Sequence, residues 1–150
     1  MKEAISIFIL LFFPILYKMV KDWNGFDHRS NSEFLTTAFL IFFNSLLMAG
    51  LKMHRDGTEM FLLLKCIVVS ITGFQLIFPY LFNLHWVNRK ENQGWVIDHP
   101  KLSNKIWYIF NHLSDSAVPD KWPIYRKLGW FGRFALWLTL FLLSVKWFTL

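Results

Sequence analysis

The side chains able to do chemistry in this chain are few and scattered. His28, His54, His85, His99 and His112 are spread over 150 residues, with Asp27, Asp98 and Asp115 close to three of them. An Asp–His pair can hold a metal or pass a proton, so a metal site or a lipid-directed hydrolytic site is geometrically conceivable. The spacing argues against it. There is no His-x-x-x-His pair and no His-Glu-x-x-His motif, so no metal and no cofactor are expected. Asp98-His99 is the pair on which a catalytic role would fall if the protein were an enzyme. A phosphate-binding glycine loop and a nucleophile elbow are missing from the sequence as well. Cys66 is the single cysteine and lies in an apolar run, so it forms no intramolecular disulfide and reads as a small hydrophobe.

A second set of polar residues stands inside apolar runs. At about 100° per residue, Lys65, Thr72, Gln75, Pro79 and Asn83 fall within one sector of about 80° on a helix. Asn44 and Ser45 lie near the middle of another run. Polar groups are poorly solvated in lipid, so this stripe is expected to face other helices or water. It would then serve as a pore lining or as a helix–helix hydrogen-bonding face. Ser45 and Ala49, four residues apart, add a spacing that allows close helix approach.

These residues need elements to hold them, and composition says which. The chain is 55% hydrophobic and 19% aromatic, above the roughly 45–50% apolar content of a soluble domain. The excess is gathered into four runs, at residues 4–20, 34–51, 60–87 and 130–150. A helix needs about 20 mostly apolar residues to cross about 30 Å of hydrocarbon. The expected fold is therefore all-α: an integral membrane protein with four transmembrane helices in a single membrane domain. The first run lacks a small-residue cleavage pattern and reads as an uncleaved anchor, kinked at Pro14. The third is long enough to need tilt or the Pro79 kink, and Lys65 near its start would snorkel. The short Asp56-Gly57-Thr58-Glu59 segment reads as a tight turn between the second and third runs.

Lysine and arginine set the orientation. Four spans place eleven of the 16 basic residues on the side of the first and third loops, and five on the other. Positive residues favour the cytoplasm, which puts both termini outside and the long basic loop, residues 88–129, inside. Within it, residues 101–113 read as an amphipathic helix with Leu102, Ile106, Ile109, Phe110 and Leu113 on one face. Asp98-His99-Pro100 is expected to supply its N-cap and early proline. Such a helix would lie on the inner leaflet or pack over the ends of the spans. Lys101, Lys105, Arg126, Lys127 and Arg133 are the residues expected to meet anionic lipid headgroups. The net charge of +6 is not a nucleic-acid footprint, because the basic residues flank apolar runs and form no separate domain.

The Phe82-Asn83-Leu84-His85-Trp86 segment, Gly94-Trp95 and the Trp122-Pro123-Ile124-Tyr125 entry to the last span resemble small multi-span membrane proteins of Bacteroidetes and their phages. The resemblance covers roughly the C-terminal half. It implies a phage or prophage setting and carries no active site with it. Small size, missing catalytic motifs and polar positions inside spans together point to a non-enzymatic protein. It would act by helix packing with itself or with a membrane-protein partner, as a holin-like lesion former or an exclusion factor. The alternatives are a lipid-directed enzyme using Asp98 and His99 at the cytoplasmic interface, and a passive anchor or small subunit of a membrane complex.

Overall fold

The computed structural model of the chain describes residues 2–23, 31–57, 59, 61–88, 93–111 and 127–150. Six α-helices occur among them and no strand: α1 Lys2–Trp23, α2 Asn31–Asp56, α3 Leu62–Asn88, α4 Gln93–Asp98, α5 Leu102–Asn111 and α6 Gly129–Thr149. The fold is all-α, and four of the helices are long and apolar enough to cross a membrane, with candidate spans Glu3–Val20, Leu35–His54, Leu62–Asn88 and Gly129–Thr149. Helices α1 and α2 extend past both edges of the apolar runs that define them, because backbone hydrogen bonding continues into polar flanks that hydropathy excludes, whereas α3 begins two residues inside its run and α6 ends one residue short.

Two compact units divide the chain. The first comprises residues 1–76 and 136–150, the second residues 77–135. In the first unit, α1, α2, the beginning of α3 and the end of α6 share one core. Leu10, Met48, Ala49, Leu62, Cys66, Val69 and Phe148 are buried there, with Ile7, Ile9, Leu63 and Phe141 packed against them. The large apolar side chains on the other faces remain exposed, among them Phe8, Phe39, Phe43, Leu47 and Leu143. A water-soluble bundle would carry polar residues there. Hydrocarbon is the solvent that such an exterior matches.

The same unit depends on close approach at Gly73. A Cβ added there would stand 2.1 Å from Leu11 Cδ2 and 3.0 Å from Phe141 Cε2. The missing side chain is what lets α1 and α6 close on α3. Gly57 follows the last residue of α2 with φ +94°, and its N–H donates to Met53 O at 3.0 Å. This is a left-handed helix stop, a conformation that glycine adopts without a Cβ penalty; of the turn expected at Asp56-Gly57-Thr58-Glu59, Thr58 lies outside the described residues.

The second unit contains the end of α3, the short helices α4 and α5, and the beginning of α6. Helix α5 is the expected amphipathic element, although it starts at Leu102 and is described to Asn111. Its N-cap is Lys101, whose carbonyl accepts from Asn104 N and Lys105 N at 3.0 and 3.3 Å. Asp98 instead ends α4, and its side chain is exposed. Helix α4 was not expected, since its six residues hold one glycine and no apolar period long enough to read.

Candidate functional site

Proline explains the interior of the first unit. Pro14 lies inside α1 and has no N–H, so the carbonyl four residues earlier, Leu10 O, has no intrahelical donor. Leu10 is fully buried, where an unpaired carbonyl is costly. Two neighbouring helices supply the donors. Ser70 Oγ of α3 donates to Leu10 O at 3.1 Å. Asn44 Nδ2 of α2 donates to Ile9 O at 3.2 Å and to Leu10 O at 3.4 Å. Ser45 Oγ reaches Ser70 Oγ at 3.5 Å, and both serines are fully buried. Three helices are thus tied at one backbone defect.

A further polar contact joins α3 to α6. Thr72 Oγ1 and Ser144 Oγ are 3.0 Å apart. One of the two hydroxyls donates across this contact and the other is free to donate to its own helix, with Val68 O 2.7 Å from Thr72 Oγ1 and Phe141 O 2.7 Å from Ser144 Oγ. At one end of the unit, Lys52 Nζ is 3.2 Å from Glu3 Oε2 and donates to Phe148 O at 3.4 Å. It also stands over the Phe148 ring, 4.2 Å from the centroid. A cation at the last carbonyls of α6 complements the negative end of that helix. Lys65 pairs with Glu59 and lies 5.9 Å above the Trp147 ring.

The sequence stripe is therefore distributed over different partners. Asn44 and Thr72 make the interhelical bonds just described, and Lys65 turns to Glu59. Asn83, in the second unit, donates to Ile109 O at 2.9 Å and holds α5 to the end of α3. Gln75 differs from these four: it is half-buried and makes no side-chain hydrogen bond to a described residue. Ser70 was missed because it lies about 140° from Lys65 on the α3 wheel, outside the stripe. The signal that finds it is Pro14, since a proline inside a span predicts an orphan carbonyl and hence a donor nearby.

In the second unit, four aromatic rings gather where α3 ends. Trp86 stacks on Tyr108 with centroids 4.6 Å apart and planes 15° from parallel. Trp95 meets Tyr108 at 4.9 Å and Trp86 at 5.8 Å. The His99 ring stacks on Trp95 at 4.5 Å. Its Nδ1 is 3.0 Å from Trp95 O. A carbonyl only accepts, so Nδ1 carries the hydrogen, and in the Nδ1–H tautomer Nε2 is the acceptor. A half-open cleft of about 440 Å³ is bounded by Trp86, Trp95, His99, Asn104, Trp107 and Tyr108.

The other expected site residues are placed as follows. Asp98 is exposed, whereas His99 is half-buried in the aromatic cluster. Lys101 and Lys127 are exposed, Lys105 is half-buried and Arg133 is buried. Asp27, His28, His112, Asp115 and Arg126 lie outside the described residues. Among the described residues, no three His, Cys, Asp or Glu side chains converge as a metal site requires. Compared with protein-family models, curated proteins and solved structures, the chain matches none.

Proposed function

We propose that the chain is a multi-pass membrane protein that acts without catalysis, by packing its spans against a second copy or a membrane-protein partner. The observation that carries this reading is the contrast between Gln75 and the other polar side chains of the spans. Asn44, Ser45, Ser70, Thr72 and Ser144 use their hydrogen-bonding groups on neighbouring helices of the same chain. Gln75 has no such partner among the described residues. A carboxamide in hydrocarbon favours any geometry that brings it a donor or acceptor. The glutamine of a second copy, or a polar group of a partner span, supplies both.

The orientation that goes with this reading has both termini outside and the loop 88–129 in the cytoplasm, as the lysine and arginine distribution favours. The biological setting proposed with it is that of a phage-type membrane effector, either a lesion former or an exclusion factor. The intact chain purified in mild detergent tests the reading by its mass in solution. Self-association or a stoichiometric partner is expected, and Gln75→Leu should reduce the complex to the single chain. A wild-type chain that is monomeric and alone, or an assembly indifferent to Gln75→Leu, would contradict it. Dye uptake after induced expression separates the two effector classes, since a lesion former admits dye and an exclusion factor does not.

A further inference from the structure

The cleft in the second unit has a chemistry of its own. Its walls are the rings of Trp86, Trp95, Trp107 and Tyr108, and its polar groups are His99 and Asn104. Trp107 is 62% exposed despite its size. Asn104 is half-buried and makes no side-chain hydrogen bond to a described residue. His99 directs its proton to Trp95 O, which leaves Nε2 able to accept. Aromatic faces attract organic cations. A carboxamide oxygen and a neutral imidazole nitrogen accept hydrogen bonds from one. A cleft of indole and phenol rings with two acceptors and no carboxylate among its described lining residues fits an ammonium group that brings its own negative charge.

Lysine placement shows where that negative charge would lie. Lys101 caps α5, and Lys105 precedes Tyr108 by three residues on the same helix. Lys101, Lys105 and Tyr108 have the i, i+4, i+7 spacing that shares one helix face. A lone cation would be repelled by two lysines on the helix face that carries Tyr108. A zwitterion whose ammonium is joined to a phosphate by a short linker would be favoured by the same arrangement. Trp86 lies near the end of the span Leu62–Asn88, the level at which the phosphates and ammonium groups of lipids are found.

We propose that this cleft binds the headgroup of a zwitterionic phospholipid with a primary ammonium. The ammonium lies against the aromatic rings and donates to Asn104 and His99, and the phosphate is held by Lys101 and Lys105. The site depends on the membrane assignment alone and is independent of Gln75 and of any assembly.

Native mass spectrometry of the full chain in mild detergent tests it, with equimolar phosphatidylethanolamine and phosphatidylglycerol of the same acyl chains. Phosphatidylethanolamine should be retained at least tenfold more than phosphatidylglycerol. The double variant Asn104→Ala, Trp107→Leu should lose that preference while keeping its helical circular dichroism. Both positions are outside the buried core, and Gln75→Leu serves as a folded control that should keep the preference. Equal retention of the two lipids by the wild type would overturn the proposal, as would a preference that survives the double variant. If the double variant does not fold, Lys105→Gln provides the second arm. It should lower phosphatidylethanolamine retention severalfold, and unchanged retention would equally overturn the proposal.

Discussion

The interhelical contacts of the first unit and the cleft of the second use polar side chains in opposite ways. In the first, polar groups are hidden and turned on the protein itself: Ser70 and Asn44 serve the carbonyl that Pro14 leaves without a donor, and Thr72 meets Ser144. In the second, Asn104 and His99 border an open cleft. The difference follows from surroundings. In the middle of a span there is no water to satisfy a stray carbonyl, so the neighbouring helices must do it. At the end of a span water and headgroups are within reach, and a polar group is left available without comparable cost. Interior polarity thus builds the bundle, and interfacial polarity can be addressed by a ligand.

Overfilling the first unit should break the contrast most severely. Gly73→Ile places side-chain atoms where Leu11 and Phe141 already stand, and a loss of about 3 kcal/mol or more, the upper end of the range for overpacking, is expected. Thermal unfolding in detergent measures it, and a loss similar to that of Gly50→Ile, where an added Cβ meets nothing within 4 Å, would remove close approach as the role of Gly73. Lys52→Met comes next. It strips Phe148 O of its donor and Glu3 of its ion pair, for an expected cost of about 1.5–3 kcal/mol, as for hydrogen bonds to charged groups. Increased proteolysis near both chain ends should accompany the loss.

The polar bonds of the spans should matter less one by one. Thr72→Val removes the link to Ser144, and about 0.6 kcal/mol is the average for an interhelical bond of this kind in a membrane. A loss well above about 2 kcal/mol would mean that the contact carries more than a single bond of this class. The smallest expected effect is in the second unit. Asn104→Ala should leave the unfolding temperature within a degree or two, because surface changes away from packed features are usually within about 0.5 kcal/mol. A large drop there would show that Asn104 supports the fold and would weaken its reading as a ligand group.

Much of the fold was legible in the sequence, and the reason is the bilayer. Its thickness selects apolar runs of one length, so the four long helices appear in hydropathy before any contact is known. Helix α5 was visible through the spacing of Leu102, Ile106, Ile109 and Phe110. Helix α4 was not, since Gln93–Asp98 is too short to show a period. The Asp98-His99-Pro100 cap failed for the same reason: Asp98 belongs to α4, which leaves Lys101 to cap α5.

The candidate sites were less legible. A helical wheel groups residues by their position on one helix, whereas the junction at Leu10 O joins three. Asn44 was singled out because it is polar inside an apolar run. Ser70 was not, because a serine on its own carries little signal. The aromatic cleft was hidden by a different ambiguity. Trp86, Trp95, Trp107 and Tyr108 each match interfacial anchors, and only the meeting of the end of α3 with α4 and α5 turns them into one lining.

The central claim is that Ser70 and Asn44 are placed to serve the backbone defect at Pro14. A double-mutant cycle on Ser70→Ala and Pro14→Ala tests it most directly, with stability read from unfolding in detergent. Ser70→Ala alone should cost about 1 kcal/mol, the scale of one buried hydrogen bond. Pro14→Ala restores an N–H to the helix, so Leu10 O gains its own donor and no longer depends on Ser70. The double variant should then lose less than the sum of the singles, by at least about 0.5 kcal/mol of coupling. Strict additivity would contradict the account, since it would mean that Ser70 and Pro14 do not act on the same carbonyl.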